Sequence, residues 1–201
     1  MARITALVLA AGMSKRMGQP KMLLPWAHTT VLGQVVDIIA QTGIEDIIVV
    51  TGGDRQVIEA EVLRLSGELP VRSFYNEKFK AGGMMSSIQA GLIAVPSNSD
   101  AVLIALGDQP QIELKTIINV ISCFTETNAD IVVPSYNNHR GHPILFNIRL
   151  LPIFKGFSET QSLREFLNQE SYRIKYVDAN ESILKDLDTP DDYKLSSKGK
   201  K

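Results

Sequence analysis

Apolar positions fall into short continuous runs separated by stretches with helical spacing. Ile4 to Leu9, Ile47 to Val50 and Ala101 to Leu106 are nearly unbroken, the pattern of strands buried on both faces. Val71 to Tyr75 and Ile131-Val132-Val133 are read as further strands, the latter ended by Pro134. Between these runs the spacing lengthens. Thr30 is suited to cap a helix bearing Val31, Val35, Ile38 and Ile39, with Gly43 just past its end. Gly52-Gly53-Asp54 opens a helix to about Leu65, Ser86 to Val95 is a helix stopped by Pro96, and Leu114 to Phe124 is another. Such alternation predicts an α/β fold with a mostly parallel central sheet, helices on both faces and right-handed crossovers.

After Pro134 the rhythm breaks. Ser135 to His142 reads as a polar loop, and Pro143 to Phe146 as a short strand, the arm of an inserted hairpin. Leu163 to Leu167 belongs to a helix, Arg173 to Val177 alternates as a strand does, and Thr189-Pro190 suits the start of a last short helix. No internal repeat or linker is evident. Residues 1–195 are therefore read as one domain and 196–201 as a disordered basic tail.

Charge narrows the function classes. The 201 residues carry 21 basic and 22 acidic side chains, a net charge of -1, so no electrostatic grip on nucleic acid is expected. A single cysteine, Cys123, excludes an internal disulfide framework and fits a reducing, cytoplasmic setting. The run Ala6 to Ala11 is too short to span a membrane and ends at Gly12 with charges just after it. Neither a membrane anchor nor an export signal is expected.

In open parallel sheets ligands bind beyond the carboxyl ends of the strands, so the loops there carry the candidate chemistry. The loop Ala10 to Lys21 has two glycines, Gly12 and Gly18, that let backbone approach a ligand, with Ser14, Arg16 and Lys21 beside them. Its free N–H groups and cations suit a polyphosphate, or else form a solvated surface turn. It is not a Walker A loop, because Gln19 and Pro20 follow Gly18. The absence of G-x-G-x-x-G argues against a nicotinamide-dependent reductase. In Leu106-Gly107-Asp108-Gln109-Pro110, Asp108 is either a helix cap or a ligand for a hard divalent cation. Asp188 offers a second carboxylate far along the chain. The stretch Asn76 to Ser87, with Gly82, Gly83, Ser86 and Ser87, is either a base or phosphate contact or a flexible loop with a helix cap. His139 and His142 lack the partners of a zinc site, whereas Arg140 and His142 suit an anionic substrate. Met84, Met85, Trp26 and Cys123 read as packing residues.

Leu9-Ala10-Ala11-Gly12 through Met17-Gly18 and Lys21 resembles the signature of nucleotidyltransferases with a Rossmann-like, three-layer fold. Leu106 to Pro110, Arg140-Gly141-His142-Pro143-Ile144-Leu145-Phe146 and Asp186 to Tyr193 look like the molybdenum cofactor cytidylyltransferase branch of that class. The resemblance runs from about Ile4 to Tyr193. It implies transfer of CMP from CTP to the phosphate of molybdopterin, with release of pyrophosphate. By the same resemblance Lys21, Arg16 and Asp108 are catalytic, and Asp108 with Asp188 holds Mg2+, or Mn2+ in its place. Leu9, Ala10, Ala11, Gly12, Ser14, Asn76, Gly82, Gly83, Ser86 and Ser87 are implied at the nucleotide. Gln109, Arg140, Gly141, His142 and Pro143 are implied at the pterin. The Ala-Ala-Gly form resembles users of CTP, whereas guanylyltransferase relatives show Ala-Gly-Gly. Met84-Met85-Ser86 departs from the Gly-Met-Ser of close relatives. A xanthine dehydrogenase-type apoenzyme is the implied recipient, and no membrane or nucleic-acid partner is expected. The competing readings are a guanylyltransferase, a transferase for another small phosphate, and a noncatalytic carrier of the cofactor. Intact Lys21 and Asp108 favour catalysis.

Overall fold

The computed structural model describes residues 2–158, 161–169 and 171–197. In chain order it forms β1 (Ile4–Ala10), β2 (Pro25–Trp26), β3 (Thr29–Thr30), α1 (Val31–Ala40), β4 (Ile47–Thr51), α2 (Arg55–Leu65), β5 (Val71–Tyr75) and α3 (Gly83–Ile93). There follow β6 (Ala101–Leu106), α4 (Leu114–Glu126), β7 (Ile131–Tyr136), β8 (His139–Arg140), β9 (Ile144–Asn147), α5 (Leu151–Gly156), α6 (Leu163–Leu167), β10 (Ile174–Asp178) and α7 (Pro190–Ser197). The main sheet runs in the order β10-β7-β9-β6-β1-β4-β5, with β8 beside β7. β1 pairs in parallel with β4 and β6, while β9 runs antiparallel to both β6 and β7. This is the expected mostly parallel sheet of a three-layer α/β fold. Among the described residues no helix is long and apolar enough to cross a membrane.

Every residue of β1 is buried because helices cover both its faces. Ala6 and Val8 pack with Leu32, Ile58 and Ile117 from one layer, and Leu7 and Leu9 with Met85, Ile88 and Phe154 from the other. The period-two division of one strand between two cores explains its unbroken apolar run. Each fully buried Leu or Ile contributes roughly 1.5–3 kcal/mol. α1 starts as expected, with the Gly33 N–H donating to Thr30 Oγ1 at 2.9 Å.

Three local expectations are corrected. α3 begins at Gly83, a turn before Ser86, because the Ser86 N–H already bonds the Gly82 carbonyl at 3.1 Å. Two weak helix formers, Gly82 and Gly83, concealed that start. Pro134 does not end β7, which continues to Tyr136. Val132 pairs with Leu145 and Ser135 with Arg140, so Pro134 falls between the two paired segments, at a bulge in the β8–β9 arm. The polar stretch after it is a hairpin turning at Asn137 and Asn138, with φ of 48° and 63°. Asparagine tolerates that left-handed geometry, which matches the twist of the flanking strands. The tail expectation also shifts. Ser196 and Ser197 belong to α7, whose first turn is closed by Thr189 and Asp192 and which is tethered by the Tyr193 hydroxyl on the Pro25 carbonyl at 2.6 Å. Residues 198–201 lie outside the described residues. The β2–β3 hairpin and α5 were not anticipated, being only 2 residues per strand and 6 residues long.

Candidate active site

β1 delivers Ala10 and Ala11 to the carboxyl end of the sheet. The Gly53 N–H donates to the Ala11 carbonyl at 3.0 Å. A Cβ on Gly52 would stand 2.5 Å from that carbonyl oxygen, and one on Gly53 2.2 Å from Met13 Cγ. Only glycine leaves room for the first loop to lie on the β4–α2 turn. Sequence reasoning took this pair merely as the opening of α2; its clue was a second glycine where one would suffice. Further along, the Ser14 carbonyl accepts the N–H groups of Met17 and Gly18 at 3.0 and 3.1 Å. Ser14 Oγ accepts the Lys21 N–H at 3.1 Å. This turn, with Gly18 at φ 74°, folds the loop back so that Lys21 meets the end of β6.

There Lys21 Nζ donates to Asp108 Oδ2 and, at 3.0 Å, to Asp188 Oδ1. Arg16 donates from Nη2 to Asp188 Oδ2 at 2.9 Å. The Leu187 N–H on the Asp108 carbonyl (3.1 Å) brings the two chain segments together. Asp192 Oδ2 accepts the N–H groups of Asp188 and Thr189 at 3.3 and 2.8 Å and steadies that segment. Lys21 is only 9% exposed. Burial pulls its pKa down, but Asp108 and Asp188 outweigh burial and the net shift is upward, so the ammonium stays charged. Burial pushes the Asp186 carboxyl up, reinforced by the charges of Asp108 and Asp188 and opposed by the Gln109 amide. Among the described residues no group of three or more His, Cys, Asp or Glu forms a metal cage. Two carboxylates converging on one cation nevertheless fit a hard divalent ion whose other ligands are phosphate oxygens and water. The Lys21 ammonium stands where such charge is needed.

A cavity of about 1080 Å³ opens beside α3, β8 and α6. Gly82, Gly83, Arg140, Gly141 and His142 line it, so two of the nominated segments do meet. Lys21, Arg16, Asp108 and Asp188 do not line it; they form a separate cluster. Arg140 donates from Nε to the Tyr176 hydroxyl (3.0 Å) and from Nη1 to Asn168 Oδ1 (2.7 Å). Burial pushes the His142 imidazole down to about 4, so it is neutral near pH 7. Its Nε2 is buried without a hydrogen-bond partner among the described residues.

Other nominated residues turn elsewhere. Leu9 packs in the core. Asn76 is buried and donates from Nδ2 to Ser86 Oγ and Ser87 Oγ at 3.0 and 3.1 Å, bracing the start of α3. Gln109 and Pro143, expected at the substrate, face inward on a void of about 10 Å³ beside Val35 and Ile38. Gln109 Nε2 donates to Asp186 Oδ1 at 2.7 Å and to the Ile183 carbonyl at 3.3 Å. The physical reason is the apolar floor beneath β6, which leaves the amide only the 183–186 backbone and Asp186 as partners. Gly141 is needed where it is because a Cβ would stand 2.4 Å from the Ile183 oxygen. Sequence reasoning missed Arg164, Asn168 and Tyr176, whose short, polar surroundings carry no motif.

A three-layer sheet whose first loop, cations and paired carboxylates gather at the carboxyl ends of β1 and β6 defines a nucleotidyltransferase of Rossmann-like fold. Residues 6–174 match the MobA-like NTP transferase domain, and the chain belongs to that family. It is 28% identical over 194 residues to a molybdenum cofactor cytidylyltransferase of Escherichia coli (strain K12), covering 96% of this chain and 95% of the relative. It is 29% identical over 196 residues to a nicotine blue oxidoreductase of Paenarthrobacter nicotinovorans, covering 92% of each. The crystal structure of Rv0371c from Mycobacterium tuberculosis H37Rv superposes with a TM-score of 0.84 at 28% identity over 98% of both chains. A manganese complex of Rv0371c superposes with a TM-score of 0.79 at 26% identity, over 98% of this chain and 100% of that one.

Proposed function

We propose that this chain, as one domain over residues 1–195, transfers CMP from CTP to the phosphate of molybdopterin and releases pyrophosphate. The observation that carries this is the meeting of Lys21 and Arg16 with Asp108 and Asp188 beside the first loop. The acceptor phosphate is already an anionic nucleophile, so no strong base is needed. The difficulty is bringing two anions together. Lys21, Arg16 and the amides around Gly12 would lie along the triphosphate and stabilise charge developing on departing pyrophosphate. Asp108 and Asp188 would hold Mg2+ or Mn2+, which when bound neutralises phosphate charge and helps fix its geometry. Ion pairs within the protein keep these groups in place before nucleotide arrives. Ala10, Ala11, Gly12 and Ser14 would lie against the nucleotide. Gly82 and Gly83 would reach the nucleotide from the wall of the large cavity, with Asn76 bracing Ser86 and Ser87 behind them. The pterin would enter the cavity beside Arg140, Gly141 and His142, with Gln109 and Pro143 supporting those loops from beneath. Holding the two substrates in line supplies much of the remaining acceleration.

Ala11 supports cytosine over guanine through the likeness of the first loop to that of CTP users. We place the reaction in the cytoplasm, with the product passing to a xanthine dehydrogenase-type apoenzyme. The test is pyrophosphate release with molybdopterin, comparing CTP, GTP, ATP and UTP with Mg2+ or Mn2+. A metal-dependent rate with CTP far above GTP is expected. GTP preference would move the chain to guanylyl transfer. Tight cofactor binding without release would make it a carrier. Turnover of nicotine blue with no nucleotide turnover would move it toward the oxidoreductase relative.

A further inference from the structure

We propose that Arg140 and Arg164 form an anion subsite on the wall of the large cavity, so the acceptor carries a second anionic group besides the phosphate that reacts. This rests on the nucleotidyl-transfer reading. Both arginines line the cavity, and no Asp or Glu lines it among the described residues. Arg140 is held by neutral partners only, Tyr176 and Asn168, with its guanidinium 5.6 Å from the Tyr176 ring centroid. Its direction is fixed while its charge is left uncompensated. Arg164 lies on α6 and its side chain makes no hydrogen bond or ion pair among the described residues. The nearest acid in sequence, Glu165, is committed elsewhere, accepting the Ser162 N–H at 2.7 Å in a capping box. Glu181, on the neighbouring segment, is paired with Lys185 at 2.5 Å.

The triphosphate has its own cations. Arg16 and Lys21 sit on the first loop and do not line the cavity. Arg140 and Arg164 are therefore surplus to nucleotide binding. Planar guanidinium groups bind oxyanions and other delocalised anions through paired N–H donors. An acceptor with a neutral tail would strip water from two uncompensated cations and return nothing.

The test uses the full chain, its Arg164→Ala and Arg140→Ala variants, and two probes, molybdopterin and inorganic sulfate. Arg164 is exposed, so its removal leaves the fold intact, as circular dichroism would check. Each variant is expected to raise the KM and Kd for molybdopterin about 10- to 100-fold, the range for a lost charge-assisted hydrogen bond, with the CTP KM within about two-fold. Arg164→Lys should recover part of the loss, since a point charge replaces a fork. Thermal stabilisation by sulfate should fall in both alanine variants. Variants that bind molybdopterin and sulfate like the parent would overturn the subsite while leaving nucleotidyl transfer intact. Conversely, sulfate stabilisation lost in the variants, in a parent that never releases pyrophosphate, would uphold the subsite and refute the transfer reading.

Discussion

Replacing Lys21 by Met should separate its two jobs, because the effects on metal binding and on turnover have opposite signs. In the structure one ammonium bridges Asp108 and Asp188, with Arg16 also on Asp188; the two carboxylate side chains are 16% and 34% exposed against 11% for Lys21. Removing one partner of a buried pair costs roughly 3–5 kcal/mol, and Asp188 is exposed enough to discount this to about 2–3 kcal/mol. In a domain of this size that is a fall in Tm of roughly 5–10 °C. The variant leaves two carboxylates facing one another with only Arg16, on Asp188, to offset them. A divalent ion no longer competes with the ammonium, so Mn2+ should bind several-fold more tightly than to the parent and restore part of the lost Tm. Turnover should drop about 100- to 1000-fold, the usual effect of deleting one preorganised charge-stabilising group. Scanning fluorimetry with and without Mn2+, calorimetric Mn2+ titration and pyrophosphate release read these three quantities. Weaker Mn2+ binding in Lys21→Met would refute the idea that lysine and metal share the carboxylates. Near-parental turnover would remove Lys21 from the chemistry.

Other perturbations probe separate links. Asp188→Asn should release Arg16 as well as weaken the metal site, so calorimetry should show Mn2+ affinity falling while metal-free CTP binding rises. Gly53→Ala should push Met13 and the first loop off the β4–α2 turn, raising the CTP KM at least about ten-fold with a small change in Tm; an unchanged KM would contradict the packing argument. His142 keeps a folded pKa of about 4 against 6.5 when exposed, so the unfolded chain takes up its proton first on acidification. Its contribution to stability is complete above pH 6.5 and is lost progressively between pH 6.5 and 4, by up to about 3 kcal/mol. The difference in unfolding free energy between parent and His142→Gln should slope across that window; a flat difference would mean the imidazole is solvated. Gln109→Leu should lower kcat by displacing the Asp186–Asp188 segment, leaving the molybdopterin Kd near parental.

The sheet was legible because strands buried on both faces must be apolar throughout, and β1, β4 and β6 are. The caps of α1 and α7 were legible for a similar reason: Thr30 and Thr189 can satisfy orphan helix amides in few other ways. The bulge at residues 141–143 was not, because it depends on β9 pairing with two strands at once. Within the site, Lys21, Arg16, Asp108 and Asp188 were nominated from loop chemistry and family likeness. Their convergence across 167 residues, from Lys21 to Asp188, was invisible to spacing. Pro143 shares its motif with the cavity residues Arg140, Gly141 and His142, and Gln109 shares its motif with Asp108, yet both face inward. A motif preserves neighbours along the chain, whereas both residues lie in irregular segments, after β6 and between β8 and β9, where packing on the apolar floor sets each side chain's direction. Arg164 escaped notice because an isolated arginine on a five-residue helix has no local signature.

The central claim is transfer of the α-phosphate of CTP to an acceptor phosphate. The most direct measurement is the fate of label from CTP carrying radioactive phosphorus at the α position, incubated with molybdopterin, Mg2+ and the full chain. Label is expected in a molybdopterin cytosine dinucleotide, in equal amount to unlabelled pyrophosphate. Label recovered as free CMP, or left in CTP while molybdopterin is bound, would contradict it.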